Sequence, residues 1–462
     1  MSNPDHDDFT FRLQGALHRA GSSVTATPEL DNQFDRRIAR RRRRAPMATA
    51  AVTGALLLGA AVVTVAVSSH SQPAHVSVAP AQQDTSIPST PQVYTPPGWA
   101  LLPPAPTASR IDEVAVWTGS EVLFWGGQTV KGATGPGVTY NPSTRHWSLP
   151  ATAPISPRDG PVAVWTGTEA LIYGGSLGDS SPDNGAAYDP ATNTWRQLPA
   201  APLGNLTDSA SYAAWTGSEM LAWGFFGNGS SGNHGGGSDA IGIFDPATDQ
   251  WRTGAVAPVQ APVFGQAVWT GSEFIIVGAG EGSASTDTVP EITVAYNPAT
   301  NTWRRLPPSP LPGGRDQTLA VWDGTELIVG GGFGGGPVPG QEPHDDVAAY
   351  NPTTNTWRVL PDAPQGFTGE ESDYDPDIWD GHDVVILEDS DPHGRPLLLD
   401  PATGTWHFGP PAPTPAVSDT PAVWTGQTIL RWGGATAHEI QTGESCLCDA
   451  VPIGTSFTPN NA

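Results

Sequence analysis

The sequence predicts an all-β, seven-bladed β-propeller preceded by a single transmembrane helix, and three regularities carry the propeller. A tryptophan followed by Thr-Gly or Asp-Gly occurs at Trp117, Trp165, Trp215, Trp269, Trp322, Trp379 and Trp424, at intervals of 48, 50, 54, 53, 57 and 45 residues. Periods of this size denote an array of one supersecondary unit. An aromatic or leucine followed seven residues later by Trp recurs as Tyr140/Trp147, Tyr188/Trp195, Phe244/Trp251, Tyr296/Trp303, Tyr350/Trp357 and Leu399/Trp406. Each unit also holds four short runs of β-branched and aromatic residues set between Gly, Pro and Asn, the signals of a four-stranded blade. With 54 Gly and 48 Pro in 462 residues the composition approaches that of disordered chains. The 17 Trp argue against disorder, because chains that bury no core avoid large aromatics.

Four regions follow from the N-terminus. Residues 1–45 read as a cytoplasmic tail in which Phe9 to Arg19 has amphipathic helical spacing. Residues 46–67 carry no charge and, as a helix, would extend about 33 Å, enough for a hydrocarbon core of about 30 Å. Arg36, Arg37 and Arg40 to Arg44 precede this run and favour retention of the N-terminus in the cytoplasm, with the rest outside the cell membrane. An uncleaved signal anchor is therefore expected; cleavage within the small residues Ala66 to Ser69 is the competing reading. Residues 68–92, rich in Ser, Pro, Gln and Ala, read as a linker, and residues 93–462 as the propeller.

In the first unit Glu113 to Trp117 and Glu121 to Trp125 are expected strands around a Thr118-Gly119-Ser120 turn. Val138 to Tyr140 and His146 to Leu149 are expected strands around an Asn141 to Thr144 turn. Six closing tryptophans stand against seven opening ones, and the C-terminus stops at Phe457 and Thr458, where a last outer strand is still missing. The segment around Trp99, with Tyr94 ahead of it and Leu101-Leu102-Pro103 behind it, matches the closing half of a unit. An N-terminal strand is thus expected to close the last blade, which removes the open seam of the ring.

The doublets Gly126-Gly127, Gly174-Gly175, Gly330-Gly331 and Gly433-Gly434, the first three followed by a Tyr and then by Trp seven residues later, resemble the kelch repeat. The resemblance covers Val93 to Pro459 and implies a kelch-type propeller. The doublet is replaced by Gly224-Phe225 in the third unit, by Gly278-Ala279 in the fourth and by Glu388-Asp389 in the sixth.

Charge excludes one class of partner. The chain carries a net charge of −25, and residues beyond 69 hold 40 acids against 12 bases, a surface that repels nucleic-acid phosphate. The repeated Trp are expected to be packing. Variable loops on a rigid scaffold are the usual seat of function, and here they join the second and third strands of each unit. They carry His234, His344 and His393. Beside them, five to seven residues before the opening Trp, lie Arg110, Asp112, Arg158, Asp159, Asp208, Arg315, Asp316, Asp373 and Asp419, a candidate channel-mouth binding site for a cation or polar ligand. Pairing of these acids and arginines with one another is the structural alternative.

Asp373, Asp375 and Asp377 alternate as in calcium loops without the full EF-hand pattern, so calcium is the one ion suggested and no cofactor motif accompanies it. Cys446 and Cys448 are candidates for a disulfide, although alternate positions on a strand suit one poorly. No Gly-x-Ser-x-Gly, His-Glu-x-x-His or phosphate-binding glycine loop is present. The sequence thus favours a surface-anchored, non-enzymatic module that binds a protein or a cell-wall glycan. An extracytoplasmic enzyme acting on carbohydrate, oxidase- or epimerase-like as the kelch resemblance allows, is the alternative.

Overall fold

The computed structural model describes residues 98–129, 134–177, 182–201, 206–226, 240–279, 291–312, 315, 318–332, 344–364, 378–387, 394–414, 417–418, 420–436 and 454–459. Among them are seven antiparallel four-stranded sheets and one two-stranded sheet. Blade one consists of Ile111–Trp117, Val122–Gln128, Thr134–Asn141 and His146–Ser148. Its second and third strands run further than the sequence pattern marks, because the ladder continues past the glycine pair to Gln128↔Thr134. Blades two to six begin at Val162–Trp165, Leu206–Trp215, Val263–Trp269, Leu319–Trp322 and Ile378–Trp379. The first strand of each blade touches that of the next, and the cycle closes from blade seven back to blade one.

Closure comes from the N-terminal strand. Blade seven orders Ala422–Trp424, Ile429–Arg431, Thr455–Phe457 and, outermost, Trp99–Leu101. The outer pair is in register as Trp99↔Phe457, and the two rings lie 4.8 Å apart. That is the relation of Tyr140 to Trp147, whose rings are 4.7 Å apart in blade one.

The second strands, such as Ala170–Tyr173 and Phe274–Ala279, are buried almost throughout. A middle strand of a blade faces a neighbouring blade on each side, so both of its faces must be apolar. Every tryptophan has a structural place. The seven opening ones are half-buried against the blade cores, and Trp125, Trp223 and Trp432 are buried in second strands. The remaining seven close blades, and each donates its indole N–H to the carbonyl lying four residues beyond the closing Trp of the preceding blade. These bonds are Trp147 to Pro103, Trp195 to Ala151, Trp251 to Pro199, Trp303 to Ala255, Trp357 to Pro307, Trp406 to Pro361 and Trp99 to Pro410, at 2.8–3.0 Å. The seventh bond is made by the clasp strand itself.

Both turns on one face are locked by the same side chains in blade after blade. In all seven opening turns a Thr Oγ1 or Asp Oδ1 accepts the backbone N–H three residues on. The glycine that follows adopts φ of 88–102°, a left-handed conformation that a side chain disfavours. In the closing turns Asn141, Asp189, Asp245, Asn297, Asn351 and Asp400 accept the N–H two residues on. No helix among the described residues is long and apolar enough to cross a membrane, and the expected span at 46–67 lies outside them.

Candidate functional site

The loops between second and third strands, and the links between blades, emerge on the face opposite the locked turns. Arg110, Arg158 and Arg315 stand at its edge, each seven residues before an opening Trp. All three are buried, at 1%, 2% and 4% exposure, and their guanidinium groups turn into the protein. Arg158 donates from Nη1 to the carbonyls of Gly174, at 3.0 Å, and Asn184, at 2.6 Å, and from Nη2 to the Asn184 side chain. Arg315 donates to the Gly331 carbonyl at 3.1 Å and forks onto Asp346 at 2.6 and 2.7 Å. Arg110 donates to the Pro136 carbonyl at 2.8 Å. Arg158 and Arg315 therefore tie together the two ends of the loop that leaves the second strand and enters the third, and Arg110 holds the third-strand side of its loop.

The glycine doublets explain why the arginine fits. Gly126-Gly127, Gly174-Gly175 and Gly433-Gly434 carry positive φ at both residues. In blade five the equivalent pair is Gly331-Gly332, at 60° and 79°, one residue later than the sequence doublet suggests. In blades two and five two successive left-handed residues turn the chain so that the first carbonyl, of Gly174 or Gly331, meets the arginine of its own blade. The second N–H can then reach an arginine carbonyl in the next blade: Gly127 donates to Arg158 and Gly434 to Arg110, both at 2.7 Å.

The charges at this edge are shaped by burial. Glu113, four residues before Trp117, places Oε2 2.9 Å from Arg110 Nε, and both side chains are buried. Burial pushes the Glu113 carboxyl up to about 8, against the opposing charge and hydrogen bond of Arg110. Arg110 also lies 5.2 Å above the ring of Trp432 in blade seven, so this pair sits where first and last blades meet. Burial draws Arg158 down to about 10, the Tyr173 and Asp183 charges opposing it. Burial acts to raise Asp346, but the hydrogen bonds and charge of Arg315 outweigh it and leave that carboxyl below its ordinary value. His344 approaches the same carboxylate, Nδ1 to Oδ1, at 3.7 Å.

The acids of the expected mouth act as links between blades. Asp112, with φ 59°, occupies the position of Gly160 in blade two, φ 53°, and its carbonyl accepts the Gly160 N–H at 2.9 Å. Asp159 exchanges backbone bonds with Ser176 at 2.9 and 2.8 Å and receives the Gln128 amide of blade one on its carboxylate. Asp316, Asp373, Asp375, Asp377, Asp419, His234, His393, Cys446 and Cys448 lie outside the described residues, as does the side chain of Asp208. Among the described residues no group of three or more His, Cys, Asp or Glu could hold a metal ion.

Sequence reading passed over Glu113, Gln128 and Asn184; Asn184 holds in blade two the place that Asp346 holds in blade five, four residues before the third-strand tyrosine. It also passed over a feature of the locked face that spacing does reveal: a Glu four residues after the opening Trp and an Arg one residue after the closing Trp. These meet as Glu169–Arg196, Glu219–Arg252, Glu273–Arg304 and Glu326–Arg358 at 2.5–2.8 Å.

Comparison with known proteins agrees with this architecture. The family model of the Kelch motif matches residues 317–364, the span of blade five. The human Kelch repeat and BTB domain-containing protein 13 is 32% identical over 126 residues, which cover 27% of this chain and 26% of that protein. The match thus spans about a quarter of the length of that relative.

Proposed function

The chain is a kelch-repeat β-propeller, and we propose that it is a non-enzymatic docking module whose variable-loop face binds a protein with a basic surface. Kelch propellers are generally protein-interaction modules. The observation that carries the reading is the asymmetry of the two faces. On one, the same Thr, Asp, Asn and Gly satisfy the backbone of turn after turn, leaving little to distinguish one blade from another. On the other, buried arginines fasten the bases of loops whose sequences differ from blade to blade. A rigid frame carrying dissimilar loops suits specific recognition. The excess of 40 acids over 12 bases beyond residue 69 favours a basic partner.

The reading further places the propeller outside the cell, held by the apolar run at 46–67 behind its arginine block. Protease treatment of intact cells should then degrade residues 69–462; full protection in intact cells, with digestion only after lysis, would remove the topology. For binding, replacing 227–239 or 333–343 with Gly-Ser segments of equal length should abolish capture of the partner by the purified propeller. Ser143→Ala and Thr248→Ala on the locked face should leave capture intact. The reverse outcome would refute the assignment of the face. Capture of wall polysaccharide and of no protein would replace the protein partner with a glycan.

A further inference from the structure

Blade six departs from its neighbours where they are most alike. In blades two to five the Glu after the opening turn meets the Arg after the closing Trp, a pair charged at every physiological pH. In blade six those positions hold Asp383 and His407, with Oδ2 and Nε2 4.0 Å apart. A second histidine, His382, brings Nδ1 to 3.0 Å from Asp383 Oδ1. The Asp383 side chain is only 4% exposed, whereas those of His382 and His407 are 61% and 49% exposed. One buried carboxylate thus has two solvent-facing imidazoles where its counterparts have a guanidinium.

The turn that carries this carboxylate is otherwise built like the rest. Asp380 Oδ1 accepts the backbone N–H groups of His382 and Asp383 at 2.8 and 2.7 Å. The closing strand bearing His407 pairs with the third strand through Leu398↔His407 and Leu399↔Trp406. The Asp383 interaction therefore links the opening turn of the blade to its outermost strand. The charged groups facing His382 are Asp383, Asp380 and Asp400, and His407 faces Asp383. From blade five, Arg358 reaches the Pro401 carbonyl at 2.9 Å and is a permanent cation at this turn.

We propose that blade six is a pH-responsive element in which protonated His382 supplies Asp383 with the positive charge that a guanidinium supplies in blades two to five, while His407 brings the outer strand to the same carboxylate. Histidine is the side chain whose charge ordinarily changes between pH 5 and 8. The hydrogen bond to Asp383 and its charge, with smaller contributions from Asp400 and Asp380, hold His382 above its ordinary value of 6.5. A raised value in the folded protein means that the His382 charge on Asp383 stabilises the turn fully below about pH 6.5 and that this contribution is lost as pH rises through the folded value. Above it, the buried Asp383 side chain no longer has the positive charge of His382 beside it. Blades two to five keep their guanidinium pairs throughout. Local opening of the blade-six turn thereby follows proton concentration.

Hydrogen exchange on the full chain tests this. Amides in 378–387 and 397–408 are compared at pH 5.5 and 7.5 after scaling to intrinsic exchange rates, with 220–226 and 240–252 of blade three as the internal standard. Protection of blade six should fall about two- to fivefold relative to blade three, the range that an exposed ion pair can supply. The double variant His382→Gln/His407→Arg restores the pattern of the other blades and should hold protection constant between the two pH values. Equal changes in blades three and six, or a pH response that survives in the double variant, would overturn the proposal. Proton NMR titration of His382 in the unmodified chain is an independent readout: a value at or below 6.5 would overturn it as well.

Discussion

Replacing Trp99 tests whether the ring is held shut by its N-terminal strand. Trp99 is 7% exposed, stacks on Phe457 at 4.8 Å and donates to the Pro410 carbonyl at 2.9 Å. Truncating a buried Trp to Ala costs about 3–5 kcal/mol. That is a large part of the total stability of a domain, about 5–15 kcal/mol. Trp99→Phe separates the two contributions, because it keeps most of the apolar contact and removes only the N–H. The Pro410 carbonyl then loses its donor, at a cost of about 1–2 kcal/mol. Urea unfolding followed by intrinsic fluorescence reads both variants, and Trp303→Phe, which removes the equivalent bond to Ala255, calibrates the hydrogen bond. Limited proteolysis adds a local measure: Trp99→Ala should expose cleavage around 99–103, where Trp147 and Arg145 also hold the clasp through the Pro103 and Leu101 carbonyls. A Trp99→Ala protein whose stability stays within about 0.5 kcal/mol of the parent, the range of ordinary surface changes, would refute closure by this strand.

Further outcomes follow from single positions. Gly271→Ala should cost about 1–2 kcal/mol in thermal unfolding from backbone conformation alone, since φ is 90° and an added Cβ meets nothing within 4 Å. Arg315→Met should cost about 3 kcal/mol, at the low end for breaking a buried pair, because the Asp346 side chain retains 22% exposure. Arg252→Ala, which breaks an exposed pair, should cost no more than about 1 kcal/mol. Glu113 carries a pH signature: its raised carboxyl holds a proton that the unfolded chain releases, so its contribution favours folding below about pH 4.5 and is lost as pH rises toward 8. Glu113→Gln should flatten the decline in melting temperature between pH 5 and 8, and an unchanged pH slope would refute the assignment.

How much was legible in the sequence depended on whether a contact repeats. Trp99 could be assigned to the last blade from sequence because six other closing tryptophans define the position it fills, and the Trp99↔Phe457 register repeats theirs. The glycine doublets were legible for the same reason; the one-residue offset in blade five arose because Gly330, Gly331 and Gly332 are indistinguishable as letters. Only φ separates Gly331 and Gly332 as the turning pair. The arginines were found as residues but not as contacts. Arg158 and Asp159 are adjacent in sequence and suggest an ion pair, yet the Arg158 guanidinium binds Asn184, 26 positions away. A loop of variable length lies between them, so spacing from the arginine does not reveal the partner; it is marked instead by its place four residues before the third-strand tyrosine, as Pro136, Asn184 and Asp346 are. Glu113 was hard to see for a further reason: of its counterparts Pro161, Ser211, Gly265, Thr318, Asp375 and Thr420, only Asp375 shares its chemistry.

The placement of the buried arginines also explains how one scaffold tolerates such different loops. A loop that varies freely would be expected to disturb the strands it joins, because its ends set their register. Arg158 and Arg315 join the two ends of a loop below the point where its sequence diverges, Arg110 holds the third-strand end of its own, and the Arg110 and Arg158 carbonyls join that base to an adjacent blade. Variation above the arginine is thereby uncoupled from the ladder beneath it. Blades three, four and six have Asp208, Pro262 and Ser372 at the same position. In blade four Pro262 serves the junction differently, its carbonyl accepting the Tyr212 hydroxyl of blade three at 2.6 Å. Transplanting the 178–181 loop segment of blade two into blade five, above Arg315, should therefore leave stability nearly unchanged, whereas the same exchange in the Arg315→Met background should destabilise the fold by more than the two changes summed. Strict additivity would show that the arginines stabilise the blade without insulating it.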